Sequence, residues 1–196
     1  MVLMNIEEYR GWFVVGSLAL ILLATTPTLA LFIHIPSSSE EFSELWLLGQ
    51  GHKAEDYPFN VRIIENYSVY VGVGNHLGYS AYYRIDVKFR NQTQPLPNST
   101  NSMPSSLNST YEFQFFVADG KTWESLVTFS LQGERTFINS VLIGDIAFPV
   151  NSSSTRDQER NGFYYQLFFE LWLYNMTAQS FQYHNRFVSL WLNVTD

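Results

Sequence analysis

The chain has no cysteine. That excludes a disulfide framework, a thiol nucleophile and a thiolate metal centre. It is also poor in charge: Asp, Glu, Lys and Arg make up 15% of its 196 residues, against about 25% in soluble domains. Cations are the scarcer sign, with eleven Lys and Arg against eighteen Asp and Glu and a net charge of −7. A surface of that sign repels a polyanion, so no nucleic-acid partner is expected. The four histidines, His34, His52, His76 and His184, show neither His-x-His nor His-Glu-x-x-His spacing. The Gly-x-Ser-x-Gly elbow, the Walker loop and the EF-hand loop are missing. Gly72-Val73-Gly74 is followed by Leu77 and Gly78, one position off the dinucleotide fingerprint. The expectation is a non-enzymatic protein with no catalytic residue, no cofactor and no metal.

What is abundant is apolar and aromatic: 46% hydrophobic and 17% Phe, Trp and Tyr. Residues 12–35, WFVVGSLALILLATTPTLALFIHI, contain no Asp, Glu, Lys or Arg. As a helix they reach about 36 Å, enough for a hydrocarbon core of about 30 Å. The expected organisation is a short cytoplasmic N-terminus at 1–11, a transmembrane helix at 12–35 and an extracytoplasmic domain at 36–196. Pro27, among Thr25, Thr26 and Thr28, should kink that helix. Arg10 precedes it, while Ser37-Ser38-Ser39-Glu40-Glu41 follows, which favours the N-terminus inside. Seven Asn-x-Ser/Thr sequons follow the segment, at Asn66, Asn91, Asn98, Asn108, Asn151, Asn175 and Asn193, and none precedes it. That asymmetry points to the glycosylating, outer face of a plasma membrane crossed once. Two other readings stay open: a secretory signal cleaved near Thr28-Leu29-Ala30, or a pilin-like precursor cleaved after Gly11, within Tyr9-Arg10-Gly11-Trp12.

From Phe42 onward the hydrophobic period is two. Residues 79–90 alternate most clearly, with Ala81, Tyr83, Ile85, Val87 and Phe89 on one face and Ser80, Tyr82, Arg84, Asp86, Lys88 and Arg90 on the expected wet one. Further strands are predicted at 67–74, 111–118, 124–131, 137–143, 163–174 and 186–194, with a short one near 61–64. About eight strands separated by turn residues predict a mainly β, immunoglobulin-like antiparallel sandwich held without a disulfide. Residues 91–110 and 151–162 are rich in Ser, Thr, Asn and Pro. They read as exposed loops that space or display glycans.

Within 163–174, Tyr165, Leu167, Phe169, Leu171 and Leu173 can fill a core. Phe168, Trp172 and Tyr174 then share the opposite face with Glu170. An aromatic outer face has the composition of a contact patch. The alternative is that 91–110 or 42–58 covers it, in which case Glu170 needs a partner such as an Arg. Tyr and Trp platforms also suit a carbohydrate- or solute-binding module. The carboxylates Glu40, Glu41 and Glu44 read as a solvated collar beside the apolar segment.

Several blocks together suggest a family. They are Phe42-Ser43-Glu44-Leu45-Trp46-Leu47-Leu48-Gly49, Lys53-Ala54-Glu55-Asp56-Tyr57-Pro58 and Val71-Gly72-Val73-Gly74-Asn75-His76. Lys121-Thr122-Trp123-Glu124, Phe169-Glu170-Leu171-Trp172-Leu173-Tyr174 and Phe187-Val188-Ser189-Leu190-Trp191-Leu192-Asn193-Val194 follow in order. Over residues 30–196 the chain resembles the archaeal DUF1616 family of uncharacterised membrane proteins. The resemblance implies an archaeal envelope protein with an extracytoplasmic β domain, and carries no activity. Family members often have several membrane helices where this chain has one apolar segment. The expected partners are therefore lipid through residues 12–35, other membrane or envelope proteins, and N-glycans.

Overall fold

The computed structural model describes residues 6–33, 41–98 and 100–195. The chain divides into two compact units, Met1–Ser39 and Glu40–Asp196. The first contains α1 (Ile6–Ile33), whose side chains are described over residues 9–24 and are exposed on every side. Among the described residues no helix is long and apolar enough to cross a membrane. The expected span of 12–35 lies partly outside those residues, at His34, Ile35 and the side chains of 25–33.

The second unit is mainly β. Its strands are β1 (Phe42–Leu48), β2 (Asn60–Arg62), β3 (Tyr67–His76), β4 (Ala81–Asn91), β5 (Tyr111–Val117), β6 (Thr122–Glu134), β7 (Phe137–Ile143), β8 (Ile146–Ser153), β9 (Tyr164–Asn175) and β10 (Ser180–Thr195). They form two five-stranded sheets, β1-β3-β6-β7-β8 and β2-β10-β9-β4-β5. Every pairing is antiparallel except β2 with β10, which run parallel through Val61 and Val194. One apolar core joins the sheets: Val69, Val71, Val73, Val127 and Phe129 from the first, and Tyr83, Ile85, Val87, Leu167, Phe169 and Leu171 from the second. Alternating β-branched and aromatic residues suit such a half-buried pleated surface.

Two strands escape the sequence pattern. β1 carries Ser43 inward and Leu45 half-buried, so its polarity does not alternate. β8 contains Pro149, a residue tolerated there because β8 is an edge strand.

The registers give the unit two ends. At the entry end, Phe42 opens β1 opposite His76, and the 77–80, 118–121 and 176–179 turns gather. The far end holds the β6–β7 turn after Glu134 and the close of β8 at Ser153. Ile64 reaches that end through its amide bond to the Leu131 carbonyl.

One expectation is overturned on β4. Asp86, Lys88 and Arg90 do not face water; all three are buried. The reason is the 91–110 segment. It does not stand off as a free spacer but folds back over their face through Ser105, whose carbonyl accepts from Lys88 Nζ at 2.9 Å.

Candidate interaction surface

The outer face of the second sheet is assembled from alternate residues of β5, β4, β9 and β10. Cross-strand registers order it into rows. Gln114, Arg84, Trp172 and Tyr183 form one row; Glu112, Asp86, Glu170 and Phe187 the next; then Lys88, Phe168 and Ser189. The face divides into two halves of different chemistry.

The covered half is charged. Glu170 is fully buried, and Lys88 Nζ lies 2.8 Å from its Oε2. The Ser105 amide donates to Glu170 Oε1 at 2.7 Å, and Lys88 Nζ donates to the Ser105 carbonyl at 2.9 Å. One residue of the 91–110 segment thus engages both members of a buried ion pair. Phe168, expected on an open contact face, is fully buried in the same rows and unavailable to a partner. The cation expected for a buried Glu170 is a lysine one register row away. Asp86 sits opposite both Glu112 and Glu170. Burial pushes its carboxyl above the ordinary carboxylate range and Glu112 adds to this, against the nearby Arg84, the Ser109 hydroxyl and Lys88. Arg84 Nε contacts Asp86 Oδ1 at 2.7 Å.

The open half is aromatic. Tyr82 stacks on Phe116 with centroids 4.3 Å apart, and packs against Phe181 at 5.1 Å and Tyr174 at 5.9 Å. Tyr174 meets Phe181 edge-on at 5.3 Å, and Trp172 meets Tyr183 at 5.7 Å. The Arg84 guanidinium lies 4.9 Å from the Trp172 ring centroid and 5.0 Å from that of Phe181. Phe116 is 73% exposed and the other five rings are half-buried. Polar groups fringe the rings: the Tyr82 hydroxyl donates to Gln114 Oε1 at 2.7 Å. Burial, then the Glu170 charge, pushes the Tyr183 phenol up to about 12. A cleft of about 330 Å³ between Tyr79, Met176 and the β9–β10 hairpin opens beside the patch.

Of the three residues expected on the contact face, Trp172 and Tyr174 belong to this patch and Phe168 does not. Tyr82, Arg84, Phe116, Phe181 and Tyr183 complete it. The signal was present in the period of two, since residues 82 and 84 share a face, as do 181 and 183. What could not be read was that these four strands are neighbours.

The remaining candidates have structural employment. His52 Nδ1 lies 2.9 Å from Glu124 and its ring packs on Tyr70. His76 stacks on Phe42 at 4.7 Å and lies 3.6 Å from Glu44. His184 Nε2 is 3.0 Å from the buried Ser43 hydroxyl, itself 2.7 Å from the Tyr83 hydroxyl. Burial, then Arg186, holds the His184 imidazole below its ordinary value. His34 and Glu40 lie outside the described residues. Among the described residues, no group of three or more His, Cys, Asp and Glu could hold a metal.

Comparison with known proteins adds a family and little else. The pattern of DUF1616, described as a domain of unknown function, matches residues 36–142. No curated protein matches the chain. Among solved structures, one chain in a complex of zinc 2-glycoprotein and prolactin-inducible protein from human seminal plasma is similar at 9% identity and a TM-score of 0.39, over 81% of this chain and 99% of that one. A β-glucosidase from Listeria innocua, in complex with isofagomine, is similar at 14% identity and a TM-score of 0.40, over 79% of this chain. The match spans only 16% of the glucosidase chain. Likenesses at this level carry no inference about activity.

Proposed function

We propose, for a chain that belongs to the DUF1616 family, a non-enzymatic interaction module held at the outer face of an archaeal plasma membrane, where its β domain docks a partner protein of the membrane or envelope. The observation that carries this reading is the open aromatic half of the second sheet's outer face. Six rings and one arginine converge there, beside the Lys88–Glu170 pair that Ser105 of the 91–110 segment covers. Aromatic residues with Arg are the composition of contact hot spots.

Anchoring by residues 12–35 is supported by the part of α1 from Trp12 to Ala24, whose described side chains are apolar apart from Ser17. Trp12, Phe13, Leu20 and Leu23 are all more than 70% exposed. A helix hydrophobic on every side needs an apolar surround. The pairing also suits an immunoglobulin-like sandwich: the β10-β9-β4-β5 order, with a short strand parallel to β10, corresponds to G-F-C-C′ with its A′ strand. The β7–β8 hairpin at the edge of the other sheet departs from that plan.

The test is gentle detergent extraction of the full chain, followed by co-purification and intact mass. Wild type should co-migrate with a stoichiometric partner, and Phe116→Ser combined with Phe181→Ser should release it while the domain stays folded. A wild-type chain that migrates alone refutes the reading. Binding of a soluble glycan to the wild-type patch, abolished by the same substitutions, would replace a protein partner with a carbohydrate one. The apolar helix also suits a filament core; a mature N-terminus at Trp12 would select that second reading, and Met1 would remove it.

A further inference from the structure

The seven sequons are not equivalent once folded. We propose that Asn66, Asn98, Asn108 and Asn151 carry N-linked glycans and that Asn91, Asn175 and Asn193 do not. The proposal rests on the outer-face reading above. Glycosyl transfer joins the asparagine Nδ2 to the anomeric carbon of a lipid-phosphate-linked oligosaccharide. The C1–O bond to phosphate breaks, the phosphate leaves with that electron pair, and Nδ2 gives up one proton. The amide must therefore be free to leave its hydrogen bonds and enter a transferase.

Three amides are not free. Asn91 Nδ2 donates to the Ser153 carbonyl at 2.7 Å, while its Oδ1 accepts from the Thr93 amide at 2.9 Å and the Thr93 hydroxyl at 3.0 Å. Asn193 lies inside β10, paired on both sides by β9 and β2. Its Nδ2 donates to Asn60 Oδ1 at 2.8 Å, and its Oδ1 accepts from the Phe163 amide at 3.3 Å. Asn175 Nδ2 donates to Gln182 Oε1 at 3.2 Å, and its Oδ1 accepts from the Ala178 amide at 2.9 Å, closing the β9–β10 hairpin.

The other four are exposed. Among the described residues Asn98 bonds only through its Oδ1, which caps the Thr100 and Asn101 amides at 2.9 and 3.3 Å. Among the described residues the side chains of Asn66, Asn108 and Asn151 make no hydrogen bond. Their placement matters as much as their freedom. Asn66 and Asn151 lie toward the far end, and Asn98 and Asn108 on the covering 91–110 segment. The one sequon beside the aromatic patch is Asn175, and it is tied. Carbohydrate would clothe the covered half and the far end, and leave the ring cluster bare for a protein.

Glycopeptide mapping of the full chain isolated from its native membranes tests this, paired with an Asp145→Cys variant, exposed in the β7–β8 turn, treated on intact cells with a membrane-impermeant maleimide. The expected result is hexose-containing mass on Asn66, Asn98, Asn108 and Asn151, bare peptides at the other three, and labelling of the variant. Carbohydrate on Asn91, Asn175 or Asn193 overturns the sorting. A labelled variant without carbohydrate on the four overturns it while leaving the outer-face reading intact. An unlabelled variant with no carbohydrate overturns both.

Discussion

Replacing Lys88 by Met keeps the length of the side chain and removes its charge. Glu170 is fully buried, and its Oε2 then loses the ammonium 2.8 Å away. The Ser105 carbonyl loses its 2.9 Å donor from the same nitrogen. Only the Ser105 amide would still serve the carboxylate. Breaking a buried pair on one side costs about 3–5 kcal/mol, because a charge is left without compensation. A domain of this size has a total stability of about 5–15 kcal/mol, so the variant should lose about a fifth of it or more. Denaturant unfolding followed by tryptophan emission reads the loss directly, since Trp172 lies in the adjacent row. A loss under about 1 kcal/mol would refute the reasoning: the pair would then behave as a solvated surface contact, and the 91–110 segment could not be the cover described.

Two further perturbations probe the core and the sheet. Burial pushes the phenols of Tyr165 and Tyr183 up to about 12, partly offset at Tyr165 by its bond with Ser154 and reinforced at Tyr183 by Glu170. Their neutral forms are favoured in the folded state, so this contribution is complete below pH 10 and is lost as pH rises toward 12. Ultraviolet titration should show two tyrosines ionising near 12 or only on unfolding, and ionisation of all tyrosines near 10 in folded protein would contradict it. At Gly72 a methyl group would overlap the Trp46 indole, which lies across the glycine from the paired strand. Gly72→Ala should cost about 1–3 kcal/mol through overpacking and alter Trp46 emission, whereas an unchanged denaturation midpoint would mean that the indole is not seated there.

What the sequence revealed follows what is local. The inward residues of β3, β4 and β9 were legible because a period of two marks a half-buried strand without reference to any partner. The mainly β class followed, as did the need of a buried Glu170 for a cation. The rest depended on contacts far apart in the chain. Composition made 91–110 look like a solvated spacer, because nothing local says that Ser105 will meet Glu170, 65 residues away. For the same reason Asp86, Lys88 and Arg90 were assigned to water. The patch was half-visible, as Trp172 and Tyr174, because it draws on four strands whose adjacency is set by topology. Two blocks of the family resemblance become intelligible here, since Trp46 and Gly72 face each other across β1 and β3.

Why the covered half is charged when the open half is aromatic is a question of specificity. An apolar cover would bury more favourably, and replacing a buried ion pair by apolar residues is often neutral or stabilising. Apolar contact is non-directional, however, and would let the 91–110 segment slide over the rings beside it. The Lys88–Glu170 pair instead fixes one residue from both of its backbone polar groups, amide and carbonyl. The double variant Lys88→Met with Glu170→Leu separates the two roles. Its unfolding free energy should recover to within about 1 kcal/mol of wild type, yet Ser105 would have lost both anchors. Proteolysis under native conditions should then cut within 91–110 at least tenfold faster than in wild type, and partner binding at the patch should weaken as the loosened segment competes for it. A double variant as resistant as wild type would show that the charges hold stability alone, and that the border between covered and open face is set elsewhere.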